Sequence, residues 1–250
     1  MSLEPMKILV ATGIYPPSIG GPATYTKLIE DKLPSKGIDV LVATFDSVRH
    51  LPKVIRHLAF FVMSLRKAKG CALIFSQDPF SVGLPALAAT RVLRRKFVVR
   101  VAGDYAWEQS VQRYGVKENI DDFQKRKYGF KVELLRKIQK FVASRADLVI
   151  TPSEYFKNLV SGWGDNIHPV RIYNGIEDVD EQILKGIHQR DEFVITTAGR
   201  LVPWKGFEGL IDSVARLKND VDKIKLVIMG DGPQLDNLQK YTKKKGVSDN

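Results

Sequence analysis

Short apolar runs recur along the chain, each followed by a turn and then by apolar positions spaced as on a helix. Met6–Thr12, Ile38–Thr44, 71–77, 96–102, 147–153 and 169–173 read as strands of the parallel type, whose two covered faces leave little polar alternation. Between them, 23–33, 53–69, 79–93 and 131–146 carry helical spacing, the last with Val132, Leu135, Ile138, Phe141 and Val142 inward. Ser153 stands at a helix N-cap position, with Glu154 in the first turn. Repeated strand–helix alternation predicts an α/β domain with a doubly wound parallel sheet over residues 1–176. Residues 177–192 are polar and weakly helical and mark a linker. At 193–198 the alternation starts again, with a helix through Leu210, Ile211, Val214 and Leu217 and a strand over 225–230. The second domain, 193–250, therefore holds two strands, fewer than an independent sheet usually has.

Two segments are less regular. On 53–69, Val54, Ile55, Leu58, Phe61, Val62 and Leu65 share one face and are expected in the core. Lys53, Arg56 and Lys67 fall opposite, with Phe60 among them and Met63 nearby. A phenylalanine inside a basic face either packs under a neighbouring loop or belongs to a membrane-surface helix, and the second reading requires Phe60 and Met63 to be exposed. Residues 110–130 are polar and poorly periodic, predicting a long loop or short helices that could serve as a lid.

Charge narrows the partners. The net charge of +11 calls for nucleic acid, anionic lipid or a phosphorylated substrate. The cations are spread over many segments without a nucleic-acid-binding motif, so no nucleic acid is expected. The single cysteine, Cys71, excludes an internal disulfide and reads as a small buried hydrophobe. His50, His57, His168 and His188 show no metal-ligand spacing. No apolar run approaches the about 18 residues of a spanning helix. The run 8–14 is too short for a signal peptide and leads into Pro16 and Pro17. The expected location is cytoplasmic, with peripheral contact at the inner face of an anionic membrane as the accompanying reading.

Chemistry concentrates where strands end. After 193–198 come Gly199, Arg200 and, on the far side of Pro203, Lys205, with Gly206 opening the next helix. A helix N-terminus favours anions; arginine grips two oxygens and lysine adds a point charge. The pair suits a diphosphate, or else is two solvated surface cations. After Met6–Thr12, Gly20 and Gly21 precede Pro22, which is not the Gly-x-Gly-x-x-Gly pattern. They permit close approach of a ligand or merely a tight turn, and the first reading expects a positive φ at one of them. Asp104 follows Gly103 at the end of 96–102, as a loop cap or a site residue.

These motifs together resemble family 4 of the retaining glycosyltransferases, nucleotide-sugar enzymes of the two-domain GT-B fold. The resemblance rests on Tyr15, Pro16 and Pro17 with Gly20 and Gly21, on Asn174, Gly175 and Ile176 (with Glu177 where aspartate is usual), on Gly199, Arg200, Lys205 and Gly206, and on Gly230, Asp231, Gly232 and Pro233. It implies a GT-B-like architecture: a Rossmann-like N-terminal domain and the first part of a second one. It implies that Arg200 and Lys205 bind the donor diphosphate, that Gly230, Asp231 and Gly232 lie near the nucleoside, and that Gly20 and Gly21 face donor and acceptor. Many members carry a histidine near Asp104 that contacts the donor sugar. Asp104, followed by Tyr105 and Trp107, stands there instead and joins Arg200 and Lys205 as a catalytic candidate.

The implied reaction moves a sugar, with retention, from a nucleotide diphosphate sugar to a hydroxyl of a lipid-linked or cell-surface glycan. It needs no metal and no cofactor beyond that co-substrate. The family's acidic Glu-x7-Glu segment is not reached before Asn250, so the second domain reads as truncated and this form as inactive. The alternatives are a GT-B nucleotide-sugar epimerase and a non-catalytic basic module that binds anionic lipid or nucleic acid.

Overall fold

A computed structural model describes residues 6–175, 192–221 and 223–248, and the chain divides into two compact units, Met1–Gly175 and Ile176–Asn250. The linker expected over 177–192 lies outside the described residues, Glu192 excepted.

The first unit carries a six-stranded parallel sheet. Its strands are β1 (Met6–Thr12), β2 (Ile38–Thr44), β3 (Leu73–Ser76), β4 (Lys96–Arg100), β5 (Leu148–Thr151) and β6 (Val170–Arg171), in the order β2-β1-β3-β4-β5-β6. The helices are α1 (Gly21–Lys32), α2 (Lys53–Lys67), α3 (Gly83–Leu93), α4 (Tyr105–Arg113), α5 (Ile120–Lys125), α6 (Phe130–Ser144) and α7 (Glu154–Ser161). Alternate strand residues enter two cores. Leu9, Ala11, Phe97 and Val99 pack with Phe60 of α2, Ala86 of α3 and Val142 of α6. Ile8, Val10, Phe75 and Ile150 pack on the other side with Tyr25 and Ile29 of α1. Both sheet faces are covered, which is why the strands read as unbroken apolar runs. The strand order reverses between β1 and β3, and open α/β sheets bind ligands outside the carboxyl ends of the strands at such a point.

Two expectations need correction. Helix α2 is rolled from the face its periodicity suggested, of which only Phe61 and Leu65 pack against the core. Phe60 is fully buried, whereas Val54, Ile55 and Leu58 are 82%, 53% and 61% exposed. The inward face is Phe60 with the small Ser64 and Ala68, which let the helix sit close, and Phe60 meets the Phe45 ring at 5.4 Å. The cations on that side are accommodated individually: Arg56 lies 5.6 Å from the Phe45 ring centroid, and Lys67 Nζ donates to the Val42 carbonyl at 2.7 Å. A membrane-surface reading built on an exposed Phe60 is therefore overturned. The segment 110–130, for its part, takes the short-helix form of the two expected, with the end of α4 and α5 in it. It contributes Val116 and Phe123 to a satellite core with Ala106 and Val132, and the Arg136 guanidinium lies 4.0 Å from the Phe123 ring centroid. On α6, Phe141 is exposed while Arg136 and Gln139 are buried, the reverse of what periodicity alone suggests.

The second unit has two parallel strands, β7 (Phe193–Ala198) and β8 (Ile224–Met229), among its described residues. Helices α8 (Phe207–Leu217) and α9 (Leu235–Lys245) cover one side. Leu201, Phe207, Ile211, Leu238 and Val247 form its core, with Leu226 and Ile228 of β8 packed against it. Phe193 and Met229 remain more than half exposed.

Candidate functional site

In the second unit, the turns after β7 and β8 are laced together by their backbones. Gly199 N donates to Met229 O at 2.9 Å, Leu201 N to Asp231 O at 2.9 Å, and Gln234 N returns to Leu201 O at 3.1 Å. The glycines permit this crossing. A Cβ on Gly230 would collide with the Gly199 carbonyl, and one on Gly232 would lie 2.5 Å from the Leu201 carbonyl oxygen. Gly230 and Gly232 thus have a packing duty of their own, alongside the nucleoside contact implied for them. A short 3-10 turn, Pro203–Lys205, follows, and Gly206 at φ 72° swings the chain into α8 as its N-cap.

Arg200 and Lys205 therefore project from one strand-to-helix turn, both exposed. Among the described residues, no side-chain hydrogen bond or ion pair engages either of them. Two such cations beside a helix N-terminus are the chemistry that an anion with more than one charge calls for. A cleft of about 330 Å³ also lies against the start of α8, lined by Val202, Pro203, Phe207, Glu208 and Gln234 among others. Neither cation lines it and Glu208 does, so the cleft is a poor seat for a diphosphate. The cation-bearing turn is the better one.

In the first unit, the loop after β1 ends in Gly20 at φ 155°, a conformation that side chains rarely adopt; a Cβ there would lie 2.7 Å from Ile14 Cδ1. Gly21 has open space around it. One of the two glycines is thus required by the backbone, as expected. Gly20 caps α1 without a side-chain hydrogen bond, and Pro22 occupies its first turn.

Two residues near the strand-order reversal escaped the sequence reading. Gln77, just past β3, is buried with neither amide atom partnered, while its N–H donates to Ala11 O at 2.9 Å. Arg100, closing β4, is buried without a carboxylate: its guanidinium stands 4.2 Å from the Tyr25 ring centroid and donates to Asn174 Oδ1 at 2.7 Å. Burial pushes the Arg100 pKa down. The signal available was only positional, a polar residue at a strand's carboxyl end. Asp78 follows Gln77, and its Oδ1 accepts from the N–H groups of Phe80 and Ser81 at 2.7 and 2.5 Å. Desolvation pushes its carboxyl above the usual range, against those backbone bonds.

Asp104 is given to the fold. It is the N-cap of α4, its Oδ1 accepting from Trp107 N at 3.0 Å and from Gln139 Nε2 at 2.9 Å. Its Oδ2 accepts from Gln124 Nε2 at 2.8 Å, and the residue is buried. Gln139 also accepts from Ala106 N at 3.0 Å, so one amide of α6 holds the first turn of α4 twice. The cap reading of Asp104 stands. As a reacting group it is corrected, because its oxygens are occupied and it has almost no open surface.

Among the described residues, no group of three or more histidine, cysteine, aspartate or glutamate side chains could hold a metal ion. None of the described helices is long and apolar enough to cross a membrane. Cys71 is buried, and desolvation raises its thiol pKa.

Comparison with known proteins places these features in a wider set. A model described as Glycosyltransferase Family 4 matches residues 19–179, and one described as Glycosyl transferases group 1 matches residues 178–250. The chain is 23% identical, over 98% of its length, to the alpha-monoglucosyldiacylglycerol synthase of Streptococcus pneumoniae, and spans 60% of that protein. Among solved structures it is similar to HepE of Anabaena, in complex with UDP and glucose, at a TM-score of 0.60 and 19% identity over 97% of this chain and 65% of that one. It is also similar to a putative UDP-N-acetylglucosamine 2-epimerase from Listeria monocytogenes, at a TM-score of 0.56 and 12% identity over 98% of this chain and 67% of that one. At such identities the two structures show a shared fold only.

Proposed function

Since the chain belongs to Glycosyltransferase Family 4, we infer that it takes part in transferring a sugar, with retention, from a nucleotide diphosphate sugar to an acceptor hydroxyl of a lipid-linked or other glycan. The single observation that carries this reading is the pair of cations, Arg200 and Lys205, on one turn at the start of α8 with no ion-pair partner among the described residues. The bond from the anomeric carbon to the leaving phosphate oxygen breaks while the acceptor oxygen bonds to that carbon, and the acceptor proton passes to the leaving phosphate. Charge on the diphosphate grows as its bond breaks. Arg200 and Lys205 hold it more strongly in the transition state than in the ground state, which is what lowers a barrier. Asp104 acts only by holding α4. UDP-glucose, after the UDP and glucose with which HepE is in complex, and diacylglycerol, the hydroxyl-bearing part of the product named for the pneumococcal relative, are the first donor and acceptor to try.

The test is calorimetric binding of UDP and other nucleoside diphosphates to the chain and to Arg200→Ala and Lys205→Ala. Loss of a charge-assisted hydrogen bond should weaken binding by about tenfold or more per side chain. Unchanged affinity in both variants would sink the assignment. The epimerase neighbour supplies a second reading, which predicts isomerised sugar from donor alone, without acceptor.

The reading extends to the form itself. With two strands described in the second unit, the donor's phosphates are provided for, but no described group is assigned to its sugar. Orientation is worth up to about 7–11 kcal/mol of barrier. The 250-residue chain is therefore expected to give no transfer product in assays with several nucleotide sugars and acceptors. Robust turnover would show that its donor site is complete.

A further inference from the structure

The roll of α2 leaves its most apolar stripe in solvent. Val54, Ile55, Leu58 and Val62 all face outward, on a helix that contains no acidic residue. Helix α3 belongs to the same layer and presents Leu84, Ala88 and Val92, one turn apart, to solvent. Cations border both stripes: Arg66 and Lys69 on α2 and just beyond it, and Arg95 just beyond α3, all exposed. Among the described residues none of these three has an ion-pair partner. Residues 49–96 hold ten of the chain's 39 lysines and arginines and one of its 28 acidic residues, Asp78, whose carboxylate is committed to the turn before α3. Of these ten, Arg49 and Lys96 pair with Asp46 and Asp147 outside the segment, and Arg56 and Lys67 lie on the Phe60 side of α2.

We propose that the outward faces of α2 and α3 form a docking surface for an anionic lipid bilayer. The stripe enters the acyl boundary, and the bordering cations meet anionic headgroups. Charge complementarity selects this occupant. A nucleic acid would satisfy the cations but leave the aliphatic stripe unpaired, since the face offers no aromatic platform for bases. A second copy of the same face would oppose cation to cation. The contact uses the side of α2 opposite Phe60, and it stands independently of the sugar-transfer reading, because vesicle binding needs no donor.

The experiment is co-sedimentation of the intact chain with phosphatidylcholine vesicles, with and without phosphatidylglycerol. Val54→Ser, Leu58→Ser and the double variant are run beside it, each checked by thermal melting. The side chains are exposed, so the variants should melt like the parent. The expected result is binding to phosphatidylglycerol vesicles that weakens with salt and falls by about tenfold or more in the double variant, with weak binding to phosphatidylcholine alone. No binding at low salt, equal binding to both vesicle types, or undiminished binding by the double variant would each overturn the proposal. So would a parent dimer on sizing that the double variant abolishes, since the face would then be covered by a second copy.

Discussion

Asp104 receives three donors at once: the Trp107 N–H and the amides of Gln139 and Gln124. Removing the carboxylate loses a helix cap and strands the Nε2 of fully buried Gln139, while Gln124 Nε2 keeps the Ile120 carbonyl. Asp104→Ala should therefore destabilise the first unit by about 2–4 kcal/mol, read by urea denaturation, from a cap of about 1 kcal/mol and the cost of an unsatisfied buried group. UDP affinity should stay the same if Asp104 only positions α4. A stable variant with impaired UDP binding would reverse the assignment. The cap was legible in the sequence as an aspartate after glycine at a strand end. Its partners were not, since Gln124 and Gln139 lie 20 and 35 residues away. A glutamine on the inner face of a helix carries no mark in the sequence of what it will bond.

At the scale of elements, the crossing of the β7 and β8 turns depends on Gly230. A methyl group there would meet the Gly199 backbone, which cannot rotate away as a side chain can. Gly230→Ala is expected to cost about 1–3 kcal/mol or more through forced backbone shift, and to weaken UDP binding by moving Arg200. A variant with the parent's melting temperature and affinity would show that the two turns are not coupled. The strands, the two glycine turns and the positions of Arg200 and Lys205 followed from local pattern, because apolar runs and glycine act over a few residues. The roll of α2 did not. Periodicity gives the angle between an apolar and a basic stripe, but which stripe meets the sheet depends on how closely a helix can approach. Ser64 and Ala68, successive turns beyond Phe60, permit the closer fit, and the Phe45 ring and the Val42 carbonyl take up Arg56 and Lys67.

At the scale of the molecule, the first unit has its own six-stranded sheet and two cores. Residues 1–175 expressed alone should unfold cooperatively by calorimetry, since the unit falls within the usual size of an independent domain; a broad, non-cooperative transition would mean that it relies on the rest of the chain. By itself the sequence determined the α/β class, the restart of the pattern at 193, and the family, because each rests on residue order and on contacts between near neighbours. Only the tertiary structure decided that Asp104 is tied down by two glutamines, that Gln77 and Arg100 are buried near the strand-order reversal, and that the aliphatic side of α2 faces water. Those outcomes turn on packing between segments tens of residues apart. A sequence fixes which side chains are available for such packing, but their burial and partners exist only once the sheet has brought the segments together.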